Sequence, residues 1–411
     1  MQTQSLWRPY TQMKTASAPL EAVRTEGTRI HLRDGRVLID GIASWWTACH
    51  GYNHPHIRAA MTHQLEAMPH VMFGGFTHEP AERLAARLAV LSPGDLNHVF
   101  FTDSGSVAVE VAMKMAVQYW LNRGVCGRTR FLAFREGYHG DTLGAMSVCD
   151  PEESMHAHFE GWLPRQIFAD LPRDGQSLEG LERLLAAHGH ELAAVIVEPL
   201  VQGAGGMRFH APQVLADLAR LARTHDVLLI ADEIFTGFGR TGSMFACDQA
   251  GVVPDILCLS KALTGGTMAL AATLATEDVF AAFWSDEAAR ALMHGPTFMA
   301  NPLACAAANA SLDLFEREPR VDQARTMEAR LQDGLSPCRG LAGVIDVRAK
   351  GAIGVVQLDA PADRERLKHA FVDAGVWVRP FGDIVYLTPA LNIADEDLER
   401  LCAVVASVLR A

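Results

Sequence analysis

The sequence predicts an α/β protein built on a mainly parallel sheet, followed by an α+β unit at the C-terminal end. Three observations carry this reading. Short apolar runs alternate with helical stretches through the middle of the chain, the order expected of βαβ units. Those runs, at Val99–Thr102, Phe131–Phe134, Ala194–Glu198, Val227–Asp232 and Ile256–Leu259, are apolar at nearly every position, as strands covered on both faces must be. The 411 residues exceed the roughly 250–300 at which one core stops growing, so at least two packed lobes are expected.

Each element has its own signal. Residues 20–40 read as a small antiparallel unit, with Val23–Glu26, Ile30–Leu32, an Asp34-Gly35 turn and Val37–Ile39; Asp-Gly between alternating segments is a hairpin signal. Val107–Trp120 sets Ala108, Val111, Ala112 and Met115 on one helical face, with Glu110 and Lys114 as an i,i+4 pair. Leu178–Ala187 and Gln213–Thr224 follow the same period. Beyond about residue 310 the order is helix Val321–Leu335, strands Val344–Val347 and Ile353–Leu358, helix Asp363–Ala374, strands Val376–Arg379 and Ile384–Leu387, and helix Ala394–Leu409. We expect the N-terminal segment to fold with this C-terminal lobe, giving a large domain over 51–309 and a small one from 1–50 and 310–411.

Composition excludes several classes. Half the residues are hydrophobic (49%), 20% are charged, and the net charge of −12 comes without any Lys/Arg-rich run, so no nucleic-acid partner is expected. The eight cysteines contain no C-x-x-C pair, which suggests reduced thiols in a cytoplasmic protein. The opening MQTQSLWRPYTQMK lacks the apolar core of a signal peptide. The low-charge stretch 262–276 is too short to span a bilayer, so no membrane partner is expected.

Four segments carry chemistry. Ser260-Lys261 directly follows the apolar ILCLS run; a lysine held there is desolvated and becomes a nucleophile toward carbonyls, although a surface lysine at a strand end is the plainer alternative. Asp232-Glu233 ends another buried run, where ligands of open α/β sheets bind; a carboxylate there can hold a protonated ring nitrogen, or merely cap a helix. Thr102-Asp103-Ser104-Gly105-Ser106 lies between a strand and a helix start, so its backbone N–H groups could cradle a phosphate, or Ser104 could be a simple N-cap. Tyr138, in Gly137-Tyr138-His139-Gly140-Asp141-Thr142, could stack on a planar ring or sit in a turn. Together they provide a phosphate cradle, an aromatic, an acid and a lysine, on strands expected to succeed one another in one sheet. Those are the requirements of pyridoxal phosphate (PLP). His50, His54 and His56 complete no metal-ligand spacing; we expect a polar loop there and no metal.

Asp232-Glu233-Ile234-Phe235-Thr236-Gly237-Phe238-Gly239-Arg240-Thr241-Gly242, followed by Asp255 through Ser260-Lys261, resembles the signature of the class III (ω-) aminotransferases of PLP fold type I, over essentially the whole chain. That resemblance implies a large domain with a mainly parallel seven-stranded sheet plus a smaller α+β domain, and a homodimer with shared active sites. Trp7-Arg8-Pro9-Tyr10, Ser44-Trp45-Trp46, His294-Gly295-Pro296-Thr297-Phe298 and Arg379-Pro380 narrow it to the subfamily that moves an amino group from S-adenosylmethionine to 8-amino-7-oxononanoate in biotin biosynthesis. Residue by residue, it implies that Lys261 binds PLP as a Schiff base and shuttles the proton, Asp232 holds the pyridinium, and Tyr138 stacks on the ring. Gly105 and Ser106 would bind the phosphate, joined by Pro296 and Thr297 of a second subunit. Arg379 would take the substrate carboxylate, while Trp45, Trp46 and Gly295 would line the pocket together with Tyr10, which the resemblance also places among the catalytic residues beside Lys261 and Asp232. Arg240 belongs to the signature loop without an assigned contact. The rivals are a class III enzyme with another amine donor or keto acid, a PLP aminomutase or decarboxylase, and a non-catalytic PLP-fold regulator.

Overall fold

The computed structural model describes residues 5–152, 156–173 and 175–411; the first four residues of the expected leaderless N-terminus lie outside them. In chain order the strands are β1 Ala22–Glu26, β2 Arg29–Leu32, β3 Val37–Asp40, β4 His98–Thr102, β5 Arg130–Phe134, β6 Ile167–Ala169, β7 Leu192–Val197, β8 Val201–Gln202, β9 Arg208–Phe209, β10 Leu228–Asp232, β11 Ile256–Leu259, β12 Ala271–Ala275, β13 Val344–Lys350, β14 Ile353–Leu358, β15 Val376–Trp377 and β16 Ile384–Leu387.

The central sheet has seven strands in the order β4-β12-β11-β10-β7-β5-β6. Every residue of β7, β10, β11 and β12 is buried, which is why these runs are apolar apart from Thr273 and the terminal Asp232. Only β12 runs against its neighbours, β11 and β4, so the carboxyl ends of β4, β5, β10 and β11 meet at one edge. The four chemical segments follow those strands, but not in the expected succession: β12 lies between β4 and β11, and β7 between β10 and β5. β12 escapes the sequence pattern because its AATLA run is mostly alanine, a weak strand former.

The helix Gly105–Asn122 crosses one face of the sheet, burying Ala108, Val111, Ala112 and Met115. Its apolar surface and β7, β10 and β11 share one cluster. The hairpin β1–β3 forms as expected, and β15 adds to β3 in parallel, at Val376 beside Ile39 and Trp377 beside Asp40. Arg29 on β2 grips Asp397 of the C-terminal helix Asp395–Arg410 with two hydrogen bonds, 2.5 and 2.9 Å. The two ends of the chain therefore pack together. The helix Pro302–Arg317 runs through residue 309, so no break in structure falls there. Arg379 was expected within a strand, but β15 stops at Trp377 and the arginine sits on the segment beyond it.

Seven of the cysteines are buried and Cys126 is exposed; all are free thiols. Among the described residues, no helix is long and apolar enough to cross a membrane.

The C-terminal unit closes on the helix Arg320–Leu335, whose Leu331 is wholly buried beside Gly354 of β14. Leu331→Ala is expected to cost about 2–5 kcal/mol through lost transfer energy and a residual cavity. A lowered urea midpoint at unchanged slope would register it.

Candidate active site

The carboxyl edge of the sheet gathers four ionisable groups. Lys261 begins a short turn directly after β11 and has φ +41°, a bend that swings its side chain back over the edge. Its Nζ lies 4.3 Å from the centre of the Trp46 ring and 5.7 Å from that of Phe235. Burial pulls its pKa down from 10.5 to about 8, against the opposing pull of Asp232 and Glu198. Gly265 and Gly266 then turn the chain with φ of +60° and +76°, and a Cβ on Gly266 would stand 2.8 Å from the Ala48 backbone nitrogen. Only glycine permits that approach, and it brings the lysine turn against the segment that carries Trp45 and Trp46.

Asp232 is 4% exposed. His139 Nδ1 donates to its Oδ2 at 2.7 Å, and the Ile234 N–H donates to its Oδ1 at 3.1 Å. Burial alone would lower the His139 pKa, but the hydrogen bond and charge of Asp232 outweigh it and raise the value. Glu198, just past β7, accepts from the Tyr138 and Gly203 amides at 3.0 and 2.9 Å, and burial pushes its carboxyl up to about 7.

Ser104 caps the helix Gly105–Asn122 by accepting from the Val107 N–H. The Gly105 and Ser106 N–H groups thus open a long helix, where an anion is favoured. Ser106 Oγ accepts from the Asp141 N–H at 3.0 Å. Gly140 (φ +132°) leaves room for this contact, because a Cβ there would stand 2.1 Å from Ser106 Oγ. Asp141 in turn collects three donors: Tyr10 OH on Oδ2, and Tyr138 OH at 3.0 Å and His156 Nε2 at 2.9 Å on Oδ1. Burial, joined by the Asp141 bond, pushes the Tyr10 hydroxyl up to about 12, so it stays a neutral donor at physiological pH.

Trp46 is buried and Trp45 is 38% exposed. Trp46 packs on Phe235 at 4.5 Å between ring centres. Trp45 meets the edge of Tyr10 and supports the Arg379 guanidinium 4.3 Å above its ring. Burial lowers the Arg379 pKa. The ensemble is a weakly basic amine and a buried carboxylate at the sheet edge, with a helix N-terminus on one side and an aromatic wall ending in a cation on the other.

Lys261, Asp232, Tyr138, Gly105, Ser106, Tyr10, Trp45, Trp46 and Arg379 are thus brought to one edge of the sheet or to the aromatic wall beside it. Gly295, Pro296 and Thr297 are not. Their loop packs near the helix Gly105–Asn122, where Lys114 Nζ donates to the Met293 carbonyl; Gly295 and Thr297 are exposed. Among the described residues they share no hydrogen bond or ring contact with the Lys261 group. Arg240 is 2% exposed, and its Nη1 donates to the Ala352 and Pro389 carbonyls, tying the signature loop to the C-terminal unit. The histidines do not form a polar loop: His50 is buried between Ser311 and Arg320, and His56 pairs with Asp313. Among the described residues no cluster of three His, Cys, Asp or Glu side chains is set to hold a metal. Sequence reasoning missed His139, Glu198 and Asp141. The Tyr138-His139-Gly140-Asp141 run pointed to two of them, since polar residues crowding a strand end invite a role for each.

A family model for class III aminotransferases matches residues 10–409. The chain is 50% identical to the adenosylmethionine-8-amino-7-oxononanoate aminotransferase of Mycobacterium leprae, over 98% of this chain and 94% of that one. It is 46% identical to the enzyme of the same name from Corynebacterium glutamicum, over 99% and 97%. Among solved structures, the adenosylmethionine-8-amino-7-oxononanoate aminotransferase of Methanocaldococcus jannaschii superposes with a TM-score of 0.95 at 34% identity, covering 99% of this chain and 97% of that one. A PLP-bound amine transaminase from an uncultivated Pseudomonas species gives 0.91 at 32% identity, covering 99% and 98%. On this full-length agreement in sequence and fold, the chain belongs to the class III aminotransferases, a PLP-dependent family.

Proposed function

We propose that this chain transfers an amino group from S-adenosylmethionine to 8-amino-7-oxononanoate, the biotin-pathway reaction, in two alternating half-reactions on one site. The observation that carries this reading is the aromatic wall that leads from the Lys261 amine, over Trp46, to Trp45 and the Arg379 guanidinium. Such a wall suits an aliphatic chain or a sulfonium cation along its faces and a carboxylate at its end. The full-length relatives of that name support it.

The residues fit PLP. Asp232 keeps acceptor capacity beyond its two present bonds for a ring N–H, Gly105 and Ser106 open a helix toward a phosphate, and Lys261 supplies an amine that is largely neutral above pH 8. When bound, PLP supplies an aldehyde that condenses with amines and a ring that takes up the electron pair left when a substrate C–H bond breaks. Lys261 Nζ is the base placed to take the proton from the donor's Cα and would hand it to the cofactor's C4′ from the same side. Its low basicity makes both transfers accessible near neutral pH. His139 fixes the orientation of Asp232 and offsets its charge. Tyr138 would stack on the ring face, and Asp141 holds Tyr138 and Tyr10 in place. Trp45, Trp46 and Tyr10 exclude water from the cleft, and Arg379 takes the carboxylate of the keto substrate.

The working unit of the proposal is a cytoplasmic homodimer, in which Gly295, Pro296 and Thr297 complete the pocket of a second copy. Their exposure, without a hydrogen bond or ring contact to the Lys261 group among the described residues of one chain, supports this, as does the apolar surface beside them. Met293 and Phe298 are more than half exposed, and Phe298 leans on His70 next to exposed Met72. We also propose the two-domain division, with its second boundary at the end of the helix Pro302–Arg317 rather than at residue 309; the β3–β15 pairing supports it.

Mixing the PLP-loaded protein with S-adenosylmethionine alone is expected to convert the visible band of the lysine-bound cofactor into the spectrum of the aminated cofactor. A spectrum that responds to other amines but not to S-adenosylmethionine would remove the donor assignment. Arg379→Ala should raise KM for 8-amino-7-oxononanoate roughly 30- to 150-fold, the loss of about 2–3 kcal/mol of charge-assisted bonding, and largely spare the half-reaction with S-adenosylmethionine. Equal damage to both halves, measured by single-turnover kinetics, would contradict the role. The neutral amine is the nucleophile, so PLP capture by the apoprotein should climb with pH through a midpoint near the lowered Lys261 value of about 8. A stopped-flow pH series with a midpoint near that of a free lysine would refute this.

A further inference from the structure

The wall formed by Trp45 and Trp46 stands on backbone that L-residues avoid. Four consecutive non-glycine residues, Ala43, Ser44, Trp45 and Trp46, have φ of 45°, 50°, 60° and 75°, and Ser44 and Trp45 have ψ of 55° and 47°. This is a left-handed helical turn, in which each Cβ crowds the following carbonyl oxygen. The segment has no glycine or asparagine to ease that cost, so something outside it must hold the conformation.

Asp40, at the end of β3 and 2% exposed, is placed to do so. Its Oδ1 accepts from the Ile42 N–H at 2.8 Å, and its Oδ2 accepts from the Ser44 N–H at 2.7 Å and from Tyr52 OH at 2.6 Å. The turn then closes on itself, with the Trp46 N–H donating to the Ile42 carbonyl and the Thr47 N–H to the Ala43 carbonyl, both at 2.9 Å. Beyond the turn, packing on Phe235 and Tyr386 holds Trp46. Among the described residues the partly exposed Trp45 makes its ring contacts with the Tyr10 edge and the Arg379 guanidinium, so its direction depends largely on the backbone beneath it.

We propose that Asp40, braced by Tyr52, is a positioning residue that locks the left-handed turn and thereby sets the gap between Trp45, Arg379 and Lys261 into which both substrates fit. The inference rests on the reading above that Trp45 and Trp46 line the substrate pocket. Asp40 touches neither substrate nor cofactor; it acts through the two indoles. A carboxylate is needed because three donors converge on it. Asparagine offers one carbonyl oxygen, so its NH2 group must face either the Ile42 N–H or the Ser44 N–H and leave that donor unmet.

The test uses the full-length PLP-loaded protein as wild type, Asp40→Asn, Tyr52→Phe and the double variant Asp40→Asn/Ser44→Gly. Visible absorbance, melting temperature, kcat and KM for each substrate are read in parallel. Asp40→Asn is expected to raise both KM values about tenfold or more while the visible band stays intact and kcat falls less than about threefold, the pattern of lost binding rather than lost chemistry. Tyr52→Phe should move KM the same way by a smaller factor. Ser44→Gly should return most of the affinity in the Asp40→Asn background, because glycine enters the left-handed region without steric cost. A merely structural Asp40 would lose band, kcat and KM together, with no recovery from the glycine, and that result overturns the proposal. Wild-type KM values in Asp40→Asn also overturn it. Should Asp40→Asn not fold, Tyr52→Phe decides alone: raised KM with the band retained supports the proposal, and unchanged KM defeats it. A wild type that ignores S-adenosylmethionine refutes the donor assignment alone, and the same variants are then compared on the amine it does accept.

Discussion

Removing charge from water at one edge of a buried sheet is the constraint on which the rest of this structure depends. Strands β7, β10 and β11 are buried at every residue, and at or just past their carboxyl ends stand Glu198, Asp232 and Lys261. Water could solvate these groups cheaply, but the sheet and its covering helices exclude it. The cost is met differently at each position. Lys261 becomes a weaker base and Glu198 a weaker acid, while Asp232 is matched by His139 at 2.7 Å. Cutting one partner out of a buried pair of that kind typically costs about 3–5 kcal/mol, so the His139–Asp232 pair is both a structural and a chemical commitment. An amine near neutrality beside a fixed carboxylate is what amino transfer needs, and here it follows from burial itself.

Backbone strain accumulates in the same place. Lys261, Tyr10 and the four residues from Ala43 to Trp46 all have positive φ without being glycine. At roughly 1–2 kcal/mol for each L-residue in the left-handed region, the Ala43–Trp46 turn alone stores about 4–8 kcal/mol, comparable to the net stability of a typical domain. Such conformations persist only where surrounding structure over-determines them. Here the Asp40 acceptors, the β3–β15 pairing just before the turn and the close approach of Gly266 to Ala48 provide that surrounding structure. The N-terminal and C-terminal ends of the chain are thus held together where the aromatic wall is anchored.

Much of this was legible in the sequence, for identifiable reasons. The five apolar runs became β4, β5, β7, β10 and β11 because double-sided burial leaves an uninterrupted apolar signature. Lys261, Asp232 and the Ser104–Ser106 turn could be placed because a polar residue at the end of such a run has nowhere to go but the sheet edge. β12 was hidden, since alanine does not announce a strand, and its antiparallel insertion changed which strands are neighbours. The helices Pro55–Ala67 and Glu79–Leu91 start on histidine caps, His54 and His78, which sequence rules for N-termini do not favour. His139 and Glu198 lay in plain view, but their roles depend on partners 93 and 60 residues away. Local pattern cannot supply such contacts, nor does one chain contain what Thr297 would touch in a second.

The proposed chemistry asks one pocket to accept two dissimilar molecules in turn, and the aromatic wall is a physical answer to that demand. Indole faces discriminate little between a methylene chain and a cation, because both gain from leaving water against a polarisable surface. Discrimination then falls to the few directional groups at the ends of the cleft: Lys261 at its base, and Arg379 at the end of the wall. Arg379 is steered by Trp45, which lies under its guanidinium at 4.3 Å and leaves the N–H edges of the fork free for a carboxylate. Permissive walls with strict ends work only if the distance between those ends is fixed. In this chain the distance is held by a strained turn whose anchor, Asp40, is buried beneath the wall, which separates the group that sets the dimensions of the pocket from the groups that meet the substrate.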